Sequence, residues 1–485
     1  MDKDKEWVGE WLIPIKGKIF TFFGTLTYRV GERPILKISS REQVIPVLGF
    51  FGEMFSSDDL NVIKGVEHKS GKPLVLIDND FESYSIGTGA LLTIRVGRII
   101  DDVEYVDADS LNYDVVSVEL SGIGEWIGQR GFLPPKFHPM GISQSFYGDN
   151  YPEDISFSIN DQFTFKLWFS YASGGSGSKF IHQVKEKFHI ELNSRDQKVS
   201  IQQWFKMIEK LRRLLTILQN DDCFPITFRV GNYSATNEDP TPYVYDYKNV
   251  YFKPVSKKFP KDDVRFFEMI HTYEEIENIF PSVVQKWFNY TDQSDIEYVH
   301  WVLSQIINQF SVDVFLEKVR AIEAFHRVKN NKLTYSDDLK ETLIRQLIDN
   351  LRGDNFFDIL QMCSQENDVQ VEQILSKIEG NLKYINEQTL RDRLKFLLKD
   401  IRDKVDKEDF VEAFGDWKGL INYVVINRNY YTHYDKNSYS NDNVLDVFKL
   451  FDLSVKLRKV LLVIVLEDLG IPPYRTLRKL SNRRN

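Results

Sequence analysis

Apolar residues in this chain keep two different periods. In the first 200 residues they alternate with polar ones: Leu26, Tyr28 and Val30 do so, Gly31-Glu32-Arg33-Pro34 makes a turn, and Ile35 to Ile38 returns. Alternation puts every second side chain on one face of a strand, and the turn residues close a hairpin. Leu74 to Ile77, Leu91 to Ile100, Val115 to Leu120 and Phe163 to Tyr171 are further strand candidates, and Phe188, Ile190 and Leu192 alternate again. After about Tyr290 the apolar steps become three and four, the period of a helix with one buried side. The expected fold is therefore multidomain α+β. A β-rich antiparallel domain, sandwich- or barrel-like, covers residues 1–290, and an all-α bundle covers 291–485. A length of 485 residues allows each its own core.

Within the first region Trp204, Ile208, Leu211, Leu215 and Leu218 predict one helix near 200–219, with strands at Phe224 to Val230 and Val250 to Phe252 after it. In the second region the spacing predicts helices over Val302 to Phe315, Phe315 to Val328, Leu339 to Leu351, Val369 to Leu382, Leu390 to Val405, Phe410 to Tyr434 and Val444 to Leu469. Gly470-Ile471-Pro472-Pro473 is the stop signal for the last of them. On that helix Leu445, Phe448, Phe451, Val455, Leu462 and Leu466 form a stripe expected to be core.

The composition, 42% hydrophobic and 27% charged, excludes broad disorder. The most apolar run, Val460 to Leu466, falls far short of the ~20 residues that span a bilayer, so no membrane partner is expected. The N-terminus is charged and lacks an apolar segment, and the two cysteines, Cys223 and Cys363, have no metal spacing. A reduced, cytoplasmic protein is the expectation. Net charge is -9, yet residues 291–485 hold 29 basic against 31 acidic residues. From Arg475 to the end there are basic residues and no acid, which makes Arg475, Arg478 and Lys479 candidate phosphate contacts.

The eight histidines include no pair at the three- to five-residue spacing of a helical metal site, so neither metal nor cofactor is expected. The stretch Ala172 to Lys179, ASGGSGSK, lacks the spacing of a phosphate loop and reads as a hairpin loop. The segment that carries chemistry is Ile426-Asn427-Arg428-Asn429-Tyr430-Tyr431-Thr432-His433-Tyr434-Asp435. Asn429 and His433, four apart, share a helix face, whereas five residues at ~100° put Arg428 roughly 140° from His433. One site then needs a helix end, a distortion or a partner chain. Arg428 suits a phosphate's oxygen pair, and His433 titrates near neutral pH and can move a proton.

Arg428-Asn429 followed by His433 resembles the Arg-x(4 to 6)-His motif of HEPN ribonucleases, placed before the final long helix of an all-α domain. The helix Phe315 to Arg327, with its Phe-Leu, Ala-x-Glu and His-Arg elements, is similar to that of the ApeA-like HEPN branch. Gly9 to Pro14, Gly24 to Tyr28, Ile63 to Val66 and Gly71 to Asp78 resemble the opening of the ApeA N-terminal domain. The resemblance implies a bacterial anti-phage defence protein, in which an N-terminal domain senses a phage component and a metal-independent HEPN endoribonuclease cleaves RNA, whether tRNA, mRNA or rRNA. It implies His433 as general acid or base, Arg428 on the phosphate and Asn429 as an orienting group. Glu323 would position Arg428, His326 would be a substrate-side residue, and the site would form across a homodimer. Two other readings stay open. One is a catalytically inactive HEPN module partnering a nucleotidyltransferase or other effector; the other is a sugar-binding or scaffolding protein.

Overall fold

The computed structural model describes residues 4–15, 18–40, 60–86, 90–128, 136–138, 141–143, 153–176, 181–234, 243–244, 246–254, 268–290, 294–306, 310–330, 336–367, 370–383, 387–433 and 443–481. The chain divides into two compact units, one built from residues 1–290 with 304–306 and 469–471, the other from the rest.

Among the described residues the first unit is built on one antiparallel ladder of fourteen strands, with three further two-stranded pairs. From one edge to the other the order is Ile155–Ser158, Phe163–Ser176, Ile181–Ser194, Val115–Leu120, Pro225–Gly231, Lys248–Phe252, Arg98–Asp101, Pro73–Ile77, Val62–Glu67, Lys5–Ile15, Lys18–Tyr28, Ile35–Ser40, Ala90–Arg95 and Asp80–Ile86. Lys248–Phe252 joins the two halves, pairing with Pro225–Gly231 on one side and Arg98–Asp101 on the other. In one half Trp7, Trp11, Leu26, Leu36, Leu76 and Ile94 form a buried cluster. Gly65 lies under the Trp11 ring, where a Cβ would come within 2.3 Å of it. The other half packs on α2 (Ile201–Gln219), which follows α1 (Ile123–Ile127) and precedes α3 (Tyr273–Ile276) and α4 (Phe280–Asn289). Ser200 caps α2, its side chain accepting from the Gln203 N–H. Trp204 is buried and donates to the Tyr113 carbonyl at 3.1 Å.

Two strand expectations change. Leu91 to Ile100 is not one strand, because Gly97, where a Cβ would meet the Asp78 carbonyl at 2.4 Å, separates Ala90–Arg95 from Arg98–Asp101. The glycine-rich stretch is strand through Ser176, with Ser176 opposite Ile181; residues 177–180 lie outside the described ones.

The second unit is helical among its described residues: α5 (Ser294–Ser304), α6 (Val312–Lys329), α7 (Asp337–Arg352), α8 (Asp354–Asn367), α9 (Val371–Leu382), α10 (Leu390–Lys404), α11 (Lys407–Phe414), α12 (Trp417–His433), α13 (Val447–Asp468) and α14 (Pro473–Ser481). α6 and α13 pack along their length, and α10 and α12 complete the bundle with α11 and α14. α7, α8 and α9 pack on one another.

Here too the structure corrects the periodicity. Val302 to Phe315 is no single helix, since α5 stops at Ser304 and Ser311 is extended where α6 begins. Phe410 to Tyr434 breaks at Gly415, whose φ of 61° and ψ of -130° are open essentially to glycine alone. α8 and α14 were not expected, and the prolines that stop α13 also start α14, where the missing N–H does no harm. Of the expected stripe on α13 only Leu462 and Leu466 are core: Phe448 is 85% exposed, and Phe451 and Val455 are exposed as well.

Candidate active site

α12 carries the motif because its buried side is continuous: Leu420, Ile421, Val424 and Asn427 recur at steps of one, three and three and face the bundle. That registry leaves Arg428 at the edge of the packed face. Its guanidinium lies 3.8 Å from the Glu323 carboxylate on α6, with the Arg428 side chain 36% exposed. A second nitrogen of the same group donates to the Asn429 side-chain oxygen at 3.0 Å. Arg428 is thus held from two sides and still open to solvent, an arrangement in which a guanidinium can take up an oxyanion. At this exposure the ion pair orients the side chain more than it stabilises the fold. His433 is the last residue of α12, and its side chain lies outside the described residues.

Glu323 is held in turn. Arg393 on α10 is buried and donates to the Glu323 backbone carbonyl and to the Gln388 carbonyl, both at 2.9 Å. α6, α10 and α12 therefore meet at this point. His326, one turn after Glu323, is 2% exposed, with its ring edge-on to Phe396 at 5.4 Å between centroids. Burial, helped by the charge of Arg393, pushes its pKa below the usual histidine value. A group so enclosed meets no substrate directly, which corrects its expected place on the substrate side. Arg475 and Arg478 are exposed on α14 and Lys479 is half-buried there. They belong to an ordered helix, not a tail, because Thr476, Leu477 and Leu480 on the other face are buried.

Behind the motif the chain returns across α12. Asn427 is fully buried, and its side-chain amide binds the backbone of residues 443 and 445, while the Tyr431 hydroxyl donates to the Leu445 carbonyl at 2.9 Å. Neither residue, nor Arg393, is distinguished by period or composition. Among the described residues no three His, Cys, Asp or Glu side chains are grouped so as to hold a metal ion. No described helix is long and apolar enough to cross a membrane.

A family profile for the ApeA N-terminal domain 1 matches residues 6–287, and one for the Apea-like HEPN domain matches residues 316–473. The chain belongs to the ApeA-like HEPN family. No curated protein and no solved structure matches it. The Apea-like HEPN match begins within α6 and ends at the start of α14, so it includes both Glu323 and the Arg428 to His433 motif of this ApeA-like protein. The N-terminal match spans nearly all of the antiparallel ladder, from the first strand to α4.

Proposed function

We propose that this ApeA-like HEPN protein is an endoribonuclease of anti-phage defence, acting in the bacterial cytoplasm as a homodimer without a metal ion. In the reaction the ribose 2′-oxygen attacks the adjacent phosphorus as its proton leaves to a base, and the bond to the 5′-oxygen breaks as that oxygen takes up a proton. A 2′,3′-cyclic phosphate and a 5′-hydroxyl result. His433 moves the proton. Arg428 binds the nonbridging oxygens and stabilises the charge that grows on them, and Asn429 orients the site. Glu323 aims the guanidinium. Residues 291–485 form the nuclease, and residues 1–290 sense a phage component and restrain it.

The observation that carries this reading is the placement of Arg428. It is anchored to Glu323 and Asn429, exposed enough to take a ligand, and sits on the helix that ends at His433. The partner chain is supported by α12, whose second stripe, Gly419, Tyr423, Ile426 and Tyr430, keeps helical spacing and leaves Tyr423 exposed.

The test is growth and total-RNA integrity in phage-infected cells carrying wild type, Arg428→Ala or His433→Ala at equal folded abundance. Only wild type should protect and fragment RNA, and the fragments should end in a cyclic phosphate. Equal behaviour of all three sinks the nuclease reading.

A further inference from the structure

Asn427 sits beside Arg428 on the buried side of α12 with no exposed surface. Its amide does for the returning chain what a peptide group does for a neighbouring strand. Oδ1 accepts from the Leu445 N–H at 2.8 Å and Nδ2 donates to the Asn443 carbonyl at 3.3 Å. Nδ2 also donates to the Tyr423 carbonyl, one turn back in its own helix, at 2.8 Å. Tyr431, one turn on, donates its hydroxyl to the Leu445 carbonyl at 2.9 Å. Both backbone groups of Leu445 are therefore held by side chains of α12.

These two anchors bracket Arg428 and Asn429, and His433 follows two residues after the second. The position matters because the last turn of a helix lacks partners for its carbonyls and frays first. Here unwinding the turn pulls Tyr431 off Leu445 and exposes Asn427 to the loss of its own bonds. Packing alone does not call for an amide, since leucine has a similar volume and no polar atoms to satisfy. A fully satisfied buried polar group selects one arrangement of the chain.

We infer that Asn427, together with Tyr431, is a positioning residue of the nuclease site: by pinning residues 443–445 to α12 it keeps that helix formed through His433 and so holds the backbone that carries both motif residues. The inference rests on the ribonuclease reading above and adds to it a residue that does not touch RNA.

The test uses the full chain and a short fluorescent RNA. Asn427→Leu removes all three amide bonds and keeps the volume; Tyr431→Phe removes one hydroxyl and keeps the ring. Turnover and hydrogen exchange over residues 428–433 are measured for both. Loss of near-attack geometry typically costs about a hundredfold in rate, so kcat of Asn427→Leu should fall between about tenfold and a hundredfold with KM within about twofold. Tyr431→Phe should lie between it and wild type. Exchange should speed up over 428–433 and stay unchanged in α6 and α13. Wild-type kcat in Asn427→Leu, a KM that rises with the loss, or unaltered exchange overturns the inference while leaving the nuclease reading in place. Should Asn427→Leu fail to fold, Tyr431→Phe decides by the same readouts. If the wild type itself does not cleave, the nuclease reading falls and the positioning role with it.

Discussion

Lys318 lies on α6 inside the bundle, 6% exposed, and its ammonium donates to the Ser454 hydroxyl on α13 at 2.8 Å. Burial, reinforced by the nearby Arg458 charge, brings its pKa down to about 8 from the ordinary lysine value of 10.5. The fold therefore penalises the charged amine. Below pH 8 the buried charge counts against the fold. Between pH 8 and 10.5 the unfolded chain holds a proton the folded one has lost, so stability rises with pH. Replacing Lys318 with Met, and Ser454 with Ala so that no hydroxyl is orphaned, should raise stability at pH 7 by about 1–3 kcal/mol and flatten the rise above pH 8. Thermal unfolding at pH 7 and pH 9.5 checks it, and a lower melting temperature at pH 7 refutes it. Residues differ in how far their roles can be read before folding. Arg428 and His433 stand out because a guanidinium and an imidazole suit the phosphate chemistry proposed for them. Asn427 and Arg393 do not, since each acts through backbone groups that only the fold brings near: the Leu445 N–H for one, the Glu323 carbonyl for the other.

At the scale of elements, α14 shows where periodicity misleads. Its basic residues and terminal position suggest a loose arm, yet Leu477 and Leu480 are buried and the helix packs on α11 and α13. Two buried leucines contribute about 3–6 kcal/mol together. Truncation after Tyr474 should therefore unfold or strongly destabilise the helical unit, while Arg475→Gln/Arg478→Gln/Lys479→Gln, which keeps both leucines, should leave it folded. If these side chains contact phosphate, the triple variant binds RNA with a salt slope flatter by about two to three. An unchanged slope removes α14 from the RNA path. Helix limits were legible where a local rule fixes them, as at Gly470, which has φ 103° just after α13. They were not legible at Gly415, because a run of apolar residues on both sides keeps the helical period through the break. Nor is the outward half of the α13 stripe: Phe448 and Leu462 have the same character in sequence, and only the position of α6 makes one exposed and the other core.

For the whole molecule the open geometric question is the ~140° between Arg428 and His433 on one helix. A site built from the arginine of one chain and the histidine of the other answers it, and predicts complementation. Equal mixing of Arg428→Ala and His433→Ala chains gives half heterodimers with one intact site each, so about a quarter of wild-type activity should return. Sedimentation should show a dimer at the same concentration. No recovery in mixed dimers places both groups within one chain. By itself the sequence determined the division into an antiparallel sheet and a helical bundle, because periods of two and of 3.6 residues bury different faces and cannot be exchanged. It also proposed the Arg428 to His433 segment as the place for chemistry, because a guanidinium and an imidazole keep their character in any fold. The order of the fourteen strands, the burial of His326, the pairing of Arg428 with Glu323 and the hold of Asn427 on residues 443–445 were decided by the tertiary structure alone. Each depends on groups far apart in the chain, and local spacing carries no information about which distant backbone or side chain will arrive beside them.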